Sequence, residues 1–467
     1  MKRSLALTTA LAFTLTGCMV GPRYKSPVVN LPDQYRGGTA QNTGDESIAE
    51  TKWENLFPDP VLRQLVETAL AQNFDLQIAA ERVQQAQAQF DIRKANLSPF
   101  INGQGQWNAT RGSSVGTLPF IKEGTNLSYA YTQAGIGATW EIDFWGRIRS
   151  LNQSAMAQYL AAEENRLAVR MSLVAEVMST YFALLEQDRE LAIGNQTREI
   201  AQDGLRLTTL RRDQGVATGL DIRQAEQLLY TATAQIAEAQ RNIGQTEDAL
   251  SLLLGKAPGD VARGAALEDV ARPIQLPAGV PSTLLTRRPD IRQAEQKLIS
   301  ANAEIGAARA QFFPQISLNA FLGGQNRAIT ELFSNPARSA FVTPAAIVPI
   351  FRAGQIRANV RFTEAQEREA LVTYQRAIYS GLRDASDALI ANDRTREQVN
   401  QQELLVSALQ DATRLARVRY EGGLDSYLQV LDAQRNLFQG QLVLAQLRMI
   451  ELQSVVRLYR ALGGGWQ

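Results

Sequence analysis

Apolar residues recur with helical spacing over most of the chain, and the interruptions fall at a few discrete places. The pattern from Phe74 to Leu97 predicts a helix that stops at Ser98-Pro99, because proline restricts the residue before it. About 45 residues rich in Gly, Asn, Thr, Ser and aromatics follow, and Ile101–Trp107 and Tyr129–Trp140 within them read as two strands of a hairpin. A very long helix is predicted from about Arg147 to Gln214, then a glycine-rich turn, Gly215-Val216-Ala217-Thr218-Gly219, and a last helix from about Leu220 to Leu254. In the long helix Leu160, Leu167, Val174 and Tyr181 recur at heptad spacing, with Met171, Met178 and Leu185 four places on, which is a coiled-coil seam. Leu371, Ile378 and Ala385, with Leu382 and Leu389, repeat it later.

That later pattern belongs to an internal duplication. Asn73-Phe74-Asp75-Leu76 aligns with Arg288-Pro289-Asp290-Ile291, and Leu97-Ser98-Pro99 with Phe312-Phe313-Pro314, at a shift of 215 residues. Gly146-Arg147-Ile148-Arg149 aligns with Gly354-Gln355-Ile356-Arg357 at a shift of 208, as does Leu254-Gly255 with Leu462-Gly463, so the first half holds seven extra residues between Pro99 and Gly146. The expected divisions are a signal peptide at 1–17, an N-terminal segment at 18–60, repeat 1 at 61–256 with its hairpin at about 100–142, a linker at 257–282, and repeat 2 at 283–467 with its hairpin at about 315–351.

Lengths constrain the assembly. The long helix is roughly 100 Å, and the two shorter helices of a repeat, stacked end to end, come to roughly 90 Å, so the pair can run alongside it. No stretch beyond the N-terminus reads as a membrane-crossing helix, which leaves a closed β-barrel for any crossing. Four strands per chain cannot close one, since about eight is the practical minimum. Three chains would supply twelve strands and twelve helical struts, and the predicted fold class is an α+β membrane protein: a trimeric 12-stranded barrel continuous with a long α-helical coiled-coil tunnel.

Composition removes most chemistry. Lys+Arg 48 against Asp+Glu 47 leaves no basic excess for neutralising phosphates, so no nucleic-acid partner is expected. With no His and a single Cys, the chain cannot build the usual zinc sites, a Ser-His-Asp triad or a Cys-His dyad, and neither enzymatic activity nor a cofactor is expected. Gly112-Ser113-Ser114-Val115-Gly116 fits the G-x-S-x-G nucleophile pattern by letter, but it has no histidine to serve it, and small residues between two strands ordinarily form a turn. Met171 and Met178 could suggest copper handling, yet both lie on the seam, where Met fills gaps.

At the N-terminus Lys2 and Arg3 precede an apolar run from Leu5 to Leu15, which has the charge and length of a secretory signal. The run ends in Leu15-Thr16-Gly17-Cys18, which resembles the lipobox of bacterial lipoproteins. The resemblance implies diacylation of the Cys18 thiol and cleavage before it. Met19, where inner-membrane lipoproteins carry Asp, implies the outer membrane.

Over essentially the whole mature chain the sequence resembles the TolC-like outer membrane factors, in their OprM-like lipoprotein branch. The likeness is carried by Gly21-Pro22-Arg23-Tyr24, by Trp53-x-x-Leu56-Phe57-x-Asp59-Pro60, and by Arg287-Arg288-Pro289-Asp290-Ile291-x-x-Ala294-Glu295. Arg419-Tyr420-x-x-Gly423-x-x-Ser426-Tyr427-Leu428, Leu431-Asp432-Ala433-Gln434-Arg435 and the closing Ala461-Leu462-Gly463-Gly464-Gly465-Trp466 complete it. It implies the exit duct of a tripartite efflux pump, a homotrimer in outer-membrane lipid. Its implied partners are a periplasmic membrane-fusion adaptor and an inner-membrane transporter of the resistance-nodulation-division type.

The resemblance also implies a gate at the periplasmic end, formed by Tyr420, Leu428, Asp432 and Arg435, with Asp221 of the first repeat as a partner for Arg435. Leu428, Asp432 and Arg435 fall at i, i+4 and i+7 on one helical face, and threefold symmetry would turn each into a ring. Asp425 stands where TolC has a gate arginine. Charges that merely solvate a helix face are the plain alternative. For the whole chain the alternatives are the exit duct of a protein-secretion system and a pore-free, lipid-anchored coiled-coil tether.

Overall fold

The computed structural model describes residues 19–37, 47–113, 128–270 and 277–465. After a one-turn helix at Trp53–Leu56, the main elements are α1 (Pro60–Gln72), α2 (Phe74–Ala95), β1 (Phe100–Thr110), β2 (Tyr129–Ile142), α3 (Arg147–Asp213) and α4 (Gly219–Leu253). The one-turn helix Leu284–Arg287 precedes α5 (Pro289–Ala310), β3 (Gln315–Asn326), β4 (Arg338–Ile347), α6 (Gln355–Glu421) and α7 (Tyr427–Ala461). The duplication shows in the lengths: α2 and α5 each have 22 residues, α3 and α6 each 67, α4 and α7 each 35.

Local chemistry sets these boundaries. Both long helices end in the same glycine-capped turn, with Gly215 at φ +77° and Gly423 at φ +72°. Val216 N–H donates to Arg211 O and Gly215 N–H to Arg212 O, each at 2.8 Å, and Leu424 and Gly423 do the same to Arg419 and Tyr420. This is the left-handed cap that satisfies the last carbonyls and reverses the chain. At the start of α3, Asp143 accepts from the amides of Ile148 and Arg149 at 2.9 and 2.8 Å, satisfying orphan donors of the first turn.

The chain divides into two compact units, each drawing on both repeats: one takes residues up to Pro27, Gln84–Ala161 and Glu295–Thr373, the other Val28–Val83, Ala162–Ala294 and Tyr374–Gln467. The second unit holds the helical core, where Leu62, Val66, Met178, Tyr181 and Phe182 are fully or nearly fully buried and Phe57 packs on Phe182. Tyr181 OH donates to Asp59 at 2.7 Å and accepts from Gly264 N–H at 3.0 Å, while Asp59 also caps α1. Matched clamps fix the last helix of each repeat: Asn73 donates to Leu253 O at 3.0 Å, and Arg288 to Ala461 O at 3.1 Å. Arg288 is buried and also meets Asp290 and Asp384 at 2.7 and 3.3 Å, so its charge is compensated.

The seam lies partly in this core. Met171, Val174, Met178, Tyr181 and Leu185 are buried, as are Ile378, Ala385 and Leu389, whereas Leu160, Leu167, Leu371 and Leu382 are half-buried in the single chain. These side chains correct one expectation. An 18-residue window of α3 is long and apolar enough to cross a membrane by composition, but half of it is buried inside the fold. Its hydropathy comes from residues that pack a core.

The first unit contains one antiparallel sheet in the order β1-β2-β3-β4, leaving β1 and β4 as its edges. Register decides the faces, because paired residues share a side. Ile101 pairs with Ala138, Ile136 with Leu322, Ala138 with Ala320, and Ala320 with Val342, which makes one face apolar. The opposite face carries Asn102, Gln104, Gln106, Gln133, Ser317 and Asn319. There the ring of Phe321 lies over the cross-strand pair Gly135 and Gly323, where an added Cβ would collide with it. At the foot of the sheet Trp145 stacks on Phe313 at 4.5 Å and donates to Pro314 O at 3.0 Å.

Candidate functional site

The glycine turn between α3 and α4 places Asp221 at the start of α4, and that between α6 and α7 places Tyr420, Leu428, Asp432 and Arg435 on either side of it, all in the second unit. On the first turns of α7, Val430 and Leu431 are buried, and Leu431 packs with Ala201 of α3 and Leu228 of α4. Helical spacing then turns Leu428, Asp432 and Arg435 to the other side, where all three are exposed in the single chain. Arg435 donates to Asp432 at 2.7 Å, and Asn436 donates to the second carboxylate oxygen at 3.3 Å. Leu428 projects an apolar side chain one turn earlier.

Tyr420 ends α6 beneath a cation: the Arg211 guanidinium sits 4.4 Å from its ring centroid, and the Tyr427 ring is 5.1 Å away. Tyr427 packs against the Leu228 and Leu431 cluster, and burial pushes its hydroxyl above the usual phenol range. The sequence assigned no role at the candidate gate to Arg211, or to Arg419 and Tyr427, which appear only as part of the family motif. The internal shift of 208 equates Arg211 with Arg419, one turn before each glycine, and that signal could have found the pair.

Asp425 is held by Arg419 in a two-pronged ion pair, at 2.6 and 3.1 Å, and the guanidinium holds its carboxyl below the usual range. The turn between α6 and α7 is thus tied back to the end of α6. Asp221 is used locally as well. It accepts from Thr218 N–H and Thr218 Oγ1, each at 2.8 Å, while its own amide donates to Thr218 Oγ1 at 3.3 Å, closing a capping box at the start of α4. Within the chain, then, Arg435 pairs with Asp432 and Asp221 with Thr218. Such an arrangement offers ion pairs, an aromatic cluster and an apolar side chain to a facing surface, the materials of a latch.

The family follows from comparison with known proteins. The sequence profile of the outer membrane efflux protein family matches residues 65–256 and 280–464. The chain belongs to the outer membrane efflux protein family. It is 39% identical over 459 residues to the solvent efflux pump outer membrane protein SrpC of Pseudomonas putida, covering 97% of this chain and 96% of SrpC. It is 32% identical to the cation efflux system protein CusC of Escherichia coli, over 99% of this chain and 98% of that one. Its fold matches the crystal structure of the open state of the Neisseria gonorrhoeae MtrE outer membrane channel with a TM-score of 0.86 at 28% identity, covering 96% of this chain and 99% of MtrE. The chain is therefore an outer-membrane protein with the fold of the efflux channels, as the resemblance implied.

The remaining candidates are placed more simply. Cys18 and Ser114 lie outside the described residues. Met171 and Met178 are buried in the helical core, Met178 almost completely, where they serve packing. Among the described residues there is no cluster of three metal-ligating side chains.

Proposed function

We propose that three copies of the chain close a twelve-stranded barrel with a tunnel of twelve helical struts, forming the passive outer-membrane exit duct of a tripartite efflux pump. One observation carries this reading: a four-stranded sheet with two open edges, apolar on one face and polar on the other. Open edges leave rows of backbone donors and acceptors unpaired, which a hydrocarbon medium penalises by several kcal/mol each, and closure with neighbouring copies satisfies them. The apolar face suits lipid and the polar face suits a water-filled lumen.

The rest of the assembly follows from that core. Acylation of Cys18 agrees with the position of Met19, which packs on Gly146 at the foot of β2 and so brings the N-terminus to the sheet. Tyr420, Leu428, Asp432, Arg435 and Asp221 form the periplasmic gate, with Asp221 free to exchange its cap for Arg435 of a neighbouring copy. An adaptor and an inner-membrane transporter of the resistance-nodulation-division type deliver cargo. Relatives named for solvent and cation efflux favour small-molecule export over protein secretion, and the two-faced sheet favours a pore over a tether. A duct that moves cargo without covalent chemistry needs no catalytic group.

The test is the mass of the detergent-extracted particle. Light scattering should give a protein mass about three times that of the chain, which is 51.4 kDa before processing. A stable folded monomer would overturn the reading.

A further inference from the structure

Charge is nearly absent from the sheet. Among the described strand residues only Glu141 and Arg338 are charged. Arg338 pairs with Gly324 at the start of β4, which puts it on the apolar side. Glu141 pairs with Ser317 on the polar side, next to Thr139 and Asn319. It does not stand alone. Arg147, the first residue of α3, folds back on it, donating from Nε to Oε1 at 2.9 Å and from Nη2 to Oε2 at 2.7 Å. The two side chains are 28% and 29% exposed, so the pair is partly withdrawn from water yet still borders the open side of the sheet.

The pair is not a by-product of capping the helix, because Asp143 already caps α3 and binds the Arg149 guanidinium at 3.2 Å. Nor is it repeated. The shift of 208 places Pro349 and Gln355 at the matching positions of the second repeat, so among the described residues of each chain the pair occurs once.

We propose that Arg147 masks Glu141 to keep the barrel wall electrically neutral, making this pair a determinant of ion selectivity in the duct. The proposal rests on the trimeric barrel put forward above. Three bare carboxylates around one axis would set up a lumen potential of a kT or more, concentrating cations and repelling anionic cargo. A bidentate guanidinium cancels each at contact distance, in a geometry that also fixes its position. The wall then presents amides and hydroxyls to cargo of either sign, and discrimination by charge is left to the turns that carry Asp432 and Arg435.

Reversal potentials of single channels in planar bilayers, under a salt gradient, test this with three variants. Arg147→Gln unmasks Glu141 and should raise the cation-to-anion permeability ratio by roughly sevenfold, since a potential of one kT enriches cations about threefold and depletes anions about threefold. Glu141→Gln should lower it by a similar factor. Glu141→Gln with Arg147→Gln should restore the wild-type ratio, since it removes both charges while keeping groups that hydrogen-bond. Single variants with wild-type selectivity, or a double variant that stays shifted, would overturn the proposal. Wild-type protein that inserts as a trimer but conducts no ions would instead overturn the barrel reading, and this one with it.

Discussion

Replacing Leu428 and Arg435 together by alanine should loosen the gate. Asp432 and Arg435 meet at 2.7 Å, but their side chains are 50% and 62% exposed, so water screens the pair. Exposed pairs of this kind are worth about 0.3–1 kcal/mol. Around a threefold axis the same pair occurs three times, and without Arg435 three Asp432 carboxylates repel one another. That repulsion acts only when the three helices close on the axis; at about 0.3–1 kcal/mol per exposed site it costs the closed state about 1–3 kcal/mol, roughly a 5- to 150-fold shift toward open. Leu428 is 48% exposed in the single chain, and truncating it removes the apolar ring that a closed arrangement would bury. The assay is single-channel conductance in planar bilayers, paired with susceptibility of cells to large hydrophilic antibiotics. The double variant should show a higher conductance and admit such antibiotics, Asp432→Ala should alter cation preference, and Arg394→Ala, an exposed charge away from α7, should behave like wild type. The trimer should survive, because Val174 and Ile378 in the core are untouched. A trimeric double variant that conducts like wild type would place the constriction elsewhere and refute the assignment.

Cys18→Ser should abolish palmitate labelling and cleavage before residue 18, and continued labelling would rule out the anchor. Tyr181→Phe leaves the buried Asp59 and Gly264 N–H each without the hydroxyl, and should cost about 2–4 kcal/mol per chain, read as a lower urea midpoint. Burial beside Glu190 pushes the Glu186 carboxyl up to about 8 from an ordinary 4.5. The folded state therefore holds a proton that the unfolded chain releases. Its contribution to stability is full below about pH 4.5 and declines as pH rises toward 8. Glu186→Gln should flatten this dependence, gaining on wild type with rising pH by on the order of a few kcal/mol, and parallel curves for the two proteins in thermal melts from pH 4 to 9 would refute it.

Helix ends were read closely from the chain because one residue suffices to make them: Ser98-Pro99 stops α2 soon after Ala95, and Gly215 and Gly423 cap the long helices. Strand limits were read less well. β1 runs to Thr110 where alternation predicted an end at Trp107, because pairing with Tyr129, Ala130 and Tyr131 carries it on through polar Asn108. At the candidate gate, the spacing of Leu428, Asp432 and Arg435 predicted a shared face, and within the chain Arg435 takes Asp432 while Asp221 caps α4. Asp221 sits three residues from Thr218 at a helix start, where backbone geometry delivers the cap at no cost in chain closure.

Periodicity, proline, glycine and the duplication were enough to determine element types and their order, since each follows from residues close in sequence. Tertiary structure alone decided which charges meet. Arg419 reaches Asp425 across a turn, Arg147 folds back on Glu141 between a helix and a strand, and Arg211 covers Tyr420 from another repeat. A side-chain ion pair depends on distance after folding, and nothing in the one-dimensional spacing of charges encodes that distance once a turn or a second helix intervenes.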